Sequence, residues 1–468
     1  MIRTSQSFLD NLPKWNVYYR GRKIDSIFTH PVLSIGARHA SKIFDVPGRV
    51  FKHDGKKYSL YYRVPRSTSD LMERRNIIYE STNYCNGIFN ISQAIGSDAI
   101  FAMMIVASKI DRKNGTGYST RVKNLLSRVK DGDLTLALAQ TDTKGDRSMR
   151  PGDQKDADSY LHVVKKDDKG IYVKGTKVHT TQAIYADELI VIPYRNMTDK
   201  EGDYAVAFSV PPTTPGLTFI VRPIDELEGN TSALLSRQDY ELETMTIFDN
   251  VFVPWENVYM CGEHEFAGEL ANLFATFHRF TAVSYRSATS NLYIGAAKLM
   301  AQANGISKAS HISNKISDMI VYKEIMAMSS HSAALFPLEE EGITVPNPIY
   351  TNIGKLYSNE NFSKLITGLI EISGGIIVTM PSMEDINSPE ESEIIEKYLT
   401  SRASGRERIG LLRLAKELSG SSFTGYMLTL MAHAEGSIEA SRIGLMKGYV
   451  TEPYEEMVRK IIKGGELE

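Results

Sequence analysis

The sequence predicts an α+β protein made of an N-terminal helical domain (residues 1–140), a middle antiparallel β domain (141–262) and a C-terminal helical bundle domain (263–468). Three observations carry that order. The first block holds long stretches at helical spacing, such as "SDLMERRNIIYESTNYCNGIFNISQAIGSDAIFAMMIVASKI" from Ser69 to Ile110, where apolar positions recur every three to four residues. The middle block is cut into short β-branched and aromatic runs by Gly, Pro, Asp and Asn, as strands joined by turns are. After Glu263 the helical period returns, with Leu270, Leu273, Phe274 and Phe277 at i, i+3, i+4 and i+7.

Each element has a local reason. Ser69, followed by Met72 and Glu73, reads as a helix start, because a hydroxyl there caps free backbone N–H groups. The strands are read in "GIYVKGTKVH", "ELIVIPY", "YAVAFSV", "LTFIVRP" and "ETMTIFDNVFVP". Alternation in "YVKGTKVH" gives one apolar and one polar face, as a half-solvated sheet requires. The bundle helices are read in "NLYIGAAKLMAQANG", "NKISDMIVYKEIMAMSSHSAALF", "NENFSKLITGLIEIS", "ERIGLLRLAKELSG" and "EPYEEMVRKIIKG", and four long apolar-faced helices suffice for a bundle. The Gly pair of "EISGGIIVTMPS" ends a helix or permits a tight turn.

Composition narrows the function classes. A chain of 468 residues, 42% hydrophobic, can build more than one packed core. With 54 basic against 56 acidic residues the net charge is -2, so neither nucleic acid nor an anionic membrane is an expected partner. An anionic ligand must be met locally. No run approaches the ~20 apolar residues of a membrane span, and the N-terminus is polar. Cys85 and Cys261 lack CxxC spacing, so a disulfide framework and a cysteine-rich zinc site are excluded and a reducing cytoplasm is expected.

Four stretches carry candidate chemistry. In "TDTKGDRSMRPGDQ", Lys144, Arg147 and Arg150 can meet a phosphate where Gly145 lets the backbone come close; a solvated charged loop is the bland reading. "KVHTTQAIYADE" groups His179, Thr180 and Thr181 at a strand end, where small hydroxyls can bond a planar ligand or simply suit a strand edge. "HAEGSIEA" reads as a helix start able to receive an anion, or as a plain cap. "FHRFTAVSYR" puts His278 on an apolar helix with Ala282 at i+4 and Tyr285 at i+7. With no carboxylate or second histidine one turn away, a zinc site on this helix is not expected. His278 is then a hydrogen-bonded helix residue or a general acid or base. No Walker loop, HExxH, GxSxG or Rossmann fingerprint occurs.

In order along the chain, "FLDNLPKWNVYYRGRKI", "HPVL", "TDTKGDR", "KGTKVHTTQAIYADE", "YAVAFSVPPTTPGLTFIV", "IFDNVFVPWENVYM", "FAGELANLFATFHR", "ASHISNKISDMIVY", "ISGGIIVTMPS" and "GSIEASR" resemble the flavoprotein family of 4-hydroxyphenylacetate 3-monooxygenase and 4-hydroxybutyryl-CoA dehydratase. The resemblance implies an acyl-CoA dehydrogenase-like fold, a homotetramer joined through the helical bundle, and FAD as cofactor. It puts Lys144, Asp146 and Arg147 near FAD, Thr180 and especially Thr181 at the isoalloxazine, and Gly436 and Ser437 where the C-terminal segment reaches the cofactor. Among catalytic candidates it implies His278, Glu243 and Arg286.

The departures from the family pattern choose between its branches. The dehydratase branch holds an iron-sulfur cluster on three cysteines and the histidine matched by His278. Here Phe89 and Tyr285 stand at two of the cysteine places, Arg286 replaces a lysine and Ala282 a tyrosine, leaving Cys85 alone. Two cysteines cannot supply three thiolates, so no metal is expected. Glu243 matches one catalytic-region glutamate, and the second is replaced around Thr429. The monooxygenase branch's phenol-holding histidine falls at Leu138. The resulting expectation is a two-component monooxygenase taking FADH2 from a separate reductase and O2, acting on a small aromatic or similar substrate. Arg286 or Arg147 then holds an acidic substrate or the flavin phosphates. The alternatives are a cluster-free isomerase of short acyl-CoA esters using His278 and Glu243, and a flavin-binding paralogue without turnover.

Overall fold

The computed structural model describes residues 2–12, 15–227 and 233–465. The predicted helical stretch from Ser69 to Ile110 is two helices, Thr68–Tyr84 and Ala94–Asn114. The break falls after Cys85, where Asn86 and Gly87 take positive φ (55° and 84°), a conformation that ends a right-handed helix. The first of these helices is capped by Ser67 rather than Ser69, its hydroxyl accepting from the Asp70 N–H at 3.2 Å. Tyr118–Gly132 completes the N-terminal helices.

Two sheets follow. The larger has the strand order Arg22–Lys23, Val17–Tyr19, Leu217–Val221, Thr244–Pro254, Gly170–Lys177, His162–Lys166. The smaller runs Val258–Cys261, Val206–Val210, Glu188–Val191, Leu136–Ala139. Two pairings are parallel, Val17–Tyr19 with Leu217–Val221 and Leu136–Ala139 with Glu188–Val191. The sheets are therefore mixed rather than purely antiparallel, and both recruit strands from before residue 141. "LALA" is buried at all four positions, and such a strand has no alternation to betray it.

The C-terminal part is dominated by a 40-residue helix, His264–Ala303. Ser310–Leu335, Pro348–Ile372 and the N-terminal helices Thr68–Tyr84 and Ala94–Asn114 pack on it. Gly405–Ser419, Ser422–His433, Ile438–Gly448 and Glu452–Gly465 follow. Among the described residues no helix is long and apolar enough to cross a membrane.

Candidate active site

The extension of the strand Gly170–Lys177 meets the approach to Thr244–Pro254. The Thr180 N–H donates to the Thr244 carbonyl (3.1 Å) and the Gln182 N–H to the Leu242 carbonyl (2.7 Å). This ladder turns Thr181 toward Glu243, whose two carboxylate oxygens each lie 2.9 Å from the threonine hydroxyl. Tyr426, on the helix Ser422–His433, donates to the same carboxylate at 3.2 Å. Arg222 lies over the Tyr426 ring, 3.9 Å from its centroid. Burial pushes the Glu243 carboxyl up, while the Thr181 bond, Arg222 and Tyr426 pull it back. Thr180 faces away from this group, accepting from the Thr246 hydroxyl at 3.0 Å inside the sheet. Beside Thr181, the Gln182 amide is buried with neither its oxygen nor its nitrogen paired.

Two residues before Glu243, Glu241 lines a cavity with Phe89, Tyr285, Phe423, Tyr426 and Met427. Its Oε1 is buried and unpaired. Burial, and then the neighbouring Glu243 charge, push this carboxyl up to about 8. Sequence reasoning passed over Glu241, although the i, i+2 spacing of acids in "YELET" was a signal that both share one side of an extended segment.

His278 is bonded through Nδ1 to Asp98 (3.1 Å) and stacks on Phe274 at 5.2 Å. Asp98 in turn accepts from Arg74 (2.6 Å) and Thr281 (2.9 Å). Asp98 lies 180 residues from His278, and its only trace in the sequence was an acid inside the apolar run "IGSDAIFAMMIV". Arg286 is fully buried and donates to Glu435 (2.6 Å) and Ser358 (2.9 Å). Glu435 also accepts from the Tyr285 hydroxyl at 2.9 Å and faces Lys355 at 3.8 Å. The Arg286 charge is thus met by a glutamate of this chain.

Phe89 and Tyr285 stack face to face, centroids 4.4 Å apart and planes 12° apart. Cys85 is buried beside His39 and Asp239. Asp239 accepts from Lys42 (2.6 Å) and Asn86 (2.7 Å) and lies 2.9 Å from His39 Nδ1, so cationic and amide donors already fill that carboxylate. These residues do not fit a cluster held by three thiolates: the chain has two cysteines, Cys85 and Cys261.

A second set of candidates lies around the loop after Ala139. Asp142, buried against Lys177 at 2.9 Å, anchors it. Lys144 lies over the Tyr194 ring (4.6 Å). Burial first, then Lys144, hold the His179 and His433 imidazoles below their usual range. Arg147 and Lys355 act on His433 in the same sense, so these basic groups face one space. Asp146 is exposed and accepts from the Ser148 N–H and hydroxyl. Gly436 has φ 102°, and a Cβ there would meet the Arg279 guanidinium at 2.7 Å. Ser437 caps the helix Ile438–Gly448 through the Ala440 N–H. Thr429 is exposed, and its hydroxyl donates to the Gly425 carbonyl within its own helix.

Comparison with known proteins adds the lineage. Sequence models described as 4-hydroxyphenylacetate 3-hydroxylase N terminal and C terminal match residues 4–260 and 267–463. The chain is 29% identical to the 4-hydroxybutyryl-CoA dehydratase/vinylacetyl-CoA-Δ-isomerase of Clostridium aminobutyricum, over 95% of this chain and 96% of that one. It is 26% identical to the 4-hydroxyphenylacetate 3-monooxygenase oxygenase component of Thermus thermophilus, over 99% and 98%. Among solved structures, an oxygen-tolerant archaeal 4-hydroxybutyryl-CoA dehydratase from N. maritimus superposes with a TM-score of 0.93 at 26% identity, covering 99% of this chain and 95% of that one. The oxygenase component of 4-hydroxyphenylacetate 3-monooxygenase complexed with FAD gives 0.89 at 26% identity, covering 99% of both chains.

Proposed function

The chain belongs to the 4-hydroxyphenylacetate 3-hydroxylase family, and on that premise we propose that it is the oxygenase component of a two-component flavin monooxygenase, using FADH2 and O2 on an aromatic or similarly small substrate. The observation that carries this choice within the family is the Phe89–Tyr285 stack. It fills with two rings the places where the dehydratase branch needs thiols, and leaves a flavin site without cluster chemistry.

The residues present fit FAD. Lys144 and Arg147 make no ion pair among the described residues and act on the neutral His433 imidazole, so their charge is open to an anionic cofactor. The Gln182 amide offers an unmet donor and acceptor beside Thr181, as the polar edge of a planar ring requires. Gly436 and Ser437 adjoin Glu435 and Arg279, at the start of the helix that would close this end. Reduced FAD, when bound, supplies the electrons that activate O2.

The chain's own residues bind, orient and move protons. Thr181 and Tyr426 fix the Glu243 carboxyl. Asp98 orients His278 through one ring nitrogen, which leaves the other to handle a proton. Arg286 acts by holding Glu435, and through it Tyr285, in the cavity wall.

A separate reductase supplies FADH2, and the setting is the cytoplasm, where Cys85 and Cys261 remain thiols. The assembly is a homotetramer. Support for it comes from Tyr454, Met457, Val458, Ile461 and Ile462, all at least half exposed along one face of the helix Glu452–Gly465, an apolar stripe that needs cover.

The test loads the protein with FADH2 anaerobically, mixes it with oxygenated buffer and a panel of phenols, and compares hydroxylated product with hydrogen peroxide. Product formed in proportion to O2 consumed is the expected result. Reoxidation without product, together with turnover of vinylacetyl-CoA to crotonyl-CoA, would replace this reading by the isomerase one, with Glu243 and His278 as proton carriers. That second reading has the 29% identical relative in its favour. Failure of both reactions would leave a non-catalytic flavin protein.

A further inference from the structure

The cavity beside Glu241 is small, with room for a single water molecule. Its walls are apolar except where Glu241, Tyr285, Tyr426 and Thr289 reach it, and the Thr289 hydroxyl is spent on the Gly87 carbonyl. Both tyrosine hydroxyls have given their proton away, Tyr285 to Glu435 and Tyr426 to Glu243. What they have left to offer is lone pairs. The Glu241 charge acts on both hydroxyls, and its own Oε1 is buried and unpaired. One donor and two acceptors around a water-sized space are what a buried water needs, and leaving that oxygen unbonded would be costly.

We propose that Glu241 and Glu243 work as a pair sharing one proton, joined through a single buried water and the Tyr426 hydroxyl, with Glu241 storing the proton that Glu243 passes on. The transfer balances without an oxidant. The Glu241 O–H gives its proton to the water, the water gives one to the Tyr426 oxygen, and the Tyr426 proton moves to the Glu243 carboxylate. Glu241 is left ionised and Glu243 protonated. Glu243 also bonds Thr181, and on the flavin reading, on which the use of this proton rests, that places it at the reacting end. Reoxidation of anionic reduced flavin by O2 takes up one proton.

The surroundings set the direction. Thr181, Arg222 and Tyr426 favour the ionised form of Glu243. On Glu241, burial, Glu243 and Glu435 disfavour ionisation, against His39 and Arg222. Both of those cations are already met, His39 by Asp239 and Arg222 by Glu226. Glu241 therefore keeps its proton up to about 8, and the store is full at neutral pH. Of the two ways out of the cavity, the Tyr285 branch ends at Glu435, which Arg286 and Lys355 hold ionised. The Tyr426 branch ends at Glu243, whose carboxyl burial pushes up, so the proton is kept there.

The experiment has two arms, and the first needs neither flavin nor substrate. Infrared spectra of the wild type should show the C=O stretch of a protonated carboxyl at neutral pH, lost as pH rises through about 8. The band should be missing in Glu241→Gln and kept in Tyr426→Phe. In the second arm, bound FADH2 is mixed with O2 without substrate, and reoxidation is followed by stopped flow. The wild-type rate should fall above about pH 8, as the store empties. Glu241→Gln should be slower at neutral pH, on the order of tenfold, and flat across the same range. Tyr426→Phe should be slowed alike, and the double variant no more than either single one, because both lie on one path. FAD content and melting temperature serve as folding controls. A wild type without the titrating band, wild-type reoxidation in Glu241→Gln, or slowing that multiplies in the double variant would each overturn the proposal. If Glu241→Gln fails to fold, the wild-type titration and the Tyr426→Phe rate still decide it. If the band and the shared slowing are found but no phenol is hydroxylated, the relay stands and the oxygenation reading falls.

Discussion

Glu435 and Glu241 are the same residue type, both buried near one end of the same site, and their environments drive them in opposite directions. At Glu435 burial favours the neutral form, but Arg286 and then Lys355 outweigh it and hold the carboxyl below the ordinary range. At Glu241 burial is reinforced by Glu243, and the carboxyl rises to about 8. The first carboxylate has three donors close by, from Arg286, Tyr285 and Lys355; the second keeps an oxygen with none. Burial alone therefore says nothing about role. A buried acid with matched partners holds the fold, and one left unmatched beside a cavity is available to a ligand.

The sharpest way to break the comparison is Glu435→Gln. It strands the Arg286 guanidinium in the helical core, and should cost about 3–5 kcal/mol in urea unfolding. The wild-type contribution is present above the unfolded glutamate range and is lost as pH falls through the depressed folded value, so the loss caused by the variant should shrink in acid. Asp239→Asn tests a second fully matched acid. It leaves His39 and Lys42 without their carboxylate and should cost about 3 kcal/mol at neutral pH. His39 and Lys42 outweigh burial and hold Asp239 at about 2, so this contribution should fade between about pH 4 and pH 2.

Glu241→Gln should move stability the other way. The native carboxyl keeps its proton up to about 8 against 4.5 unfolded, so wild-type stability falls as pH rises through that window, by up to about 1.4 kcal/mol per pH unit. The glutamine variant escapes that fall, and its advantage should grow from pH 5 to pH 8 in thermal melts. A glutamine variant less stable at every pH would abolish the distinction drawn between the two acids. The smallest effect belongs to Tyr285→Phe. It removes one hydrogen bond to Glu435 but keeps the ring on Phe89, and should cost about 1 kcal/mol by denaturant unfolding.

How much of this could be read from the chain follows from distance along it. The order of helices, sheets and helices was legible because period 3.6 and period 2 are local patterns. The loop at Lys144, the hydroxyls at Thr180 and Thr181 and the turn at Gly436 were legible for the same reason. Thr181 and Glu243, both named from sequence, do meet, 62 residues apart. Yet nothing local distinguished Thr181 from Thr180, whose hydroxyl points into the sheet. The parallel pairing of Val17–Tyr19 with Leu217–Val221 was hidden because three residues carry no pairing signal. Asp98 under His278, Asp239 under His39 and Glu435 under Arg286 were hidden because each joins residues 149 to 200 positions apart.

The Phe89–Tyr285 stack also has a consequence for how this chain can evolve. A change of either residue to cysteine removes one ring from a packed pair, at a cost of about 3–5 kcal/mol if the space is left open as in a truncation to a small side chain. Single changes at either position therefore lower stability, and selection keeps the pair as rings.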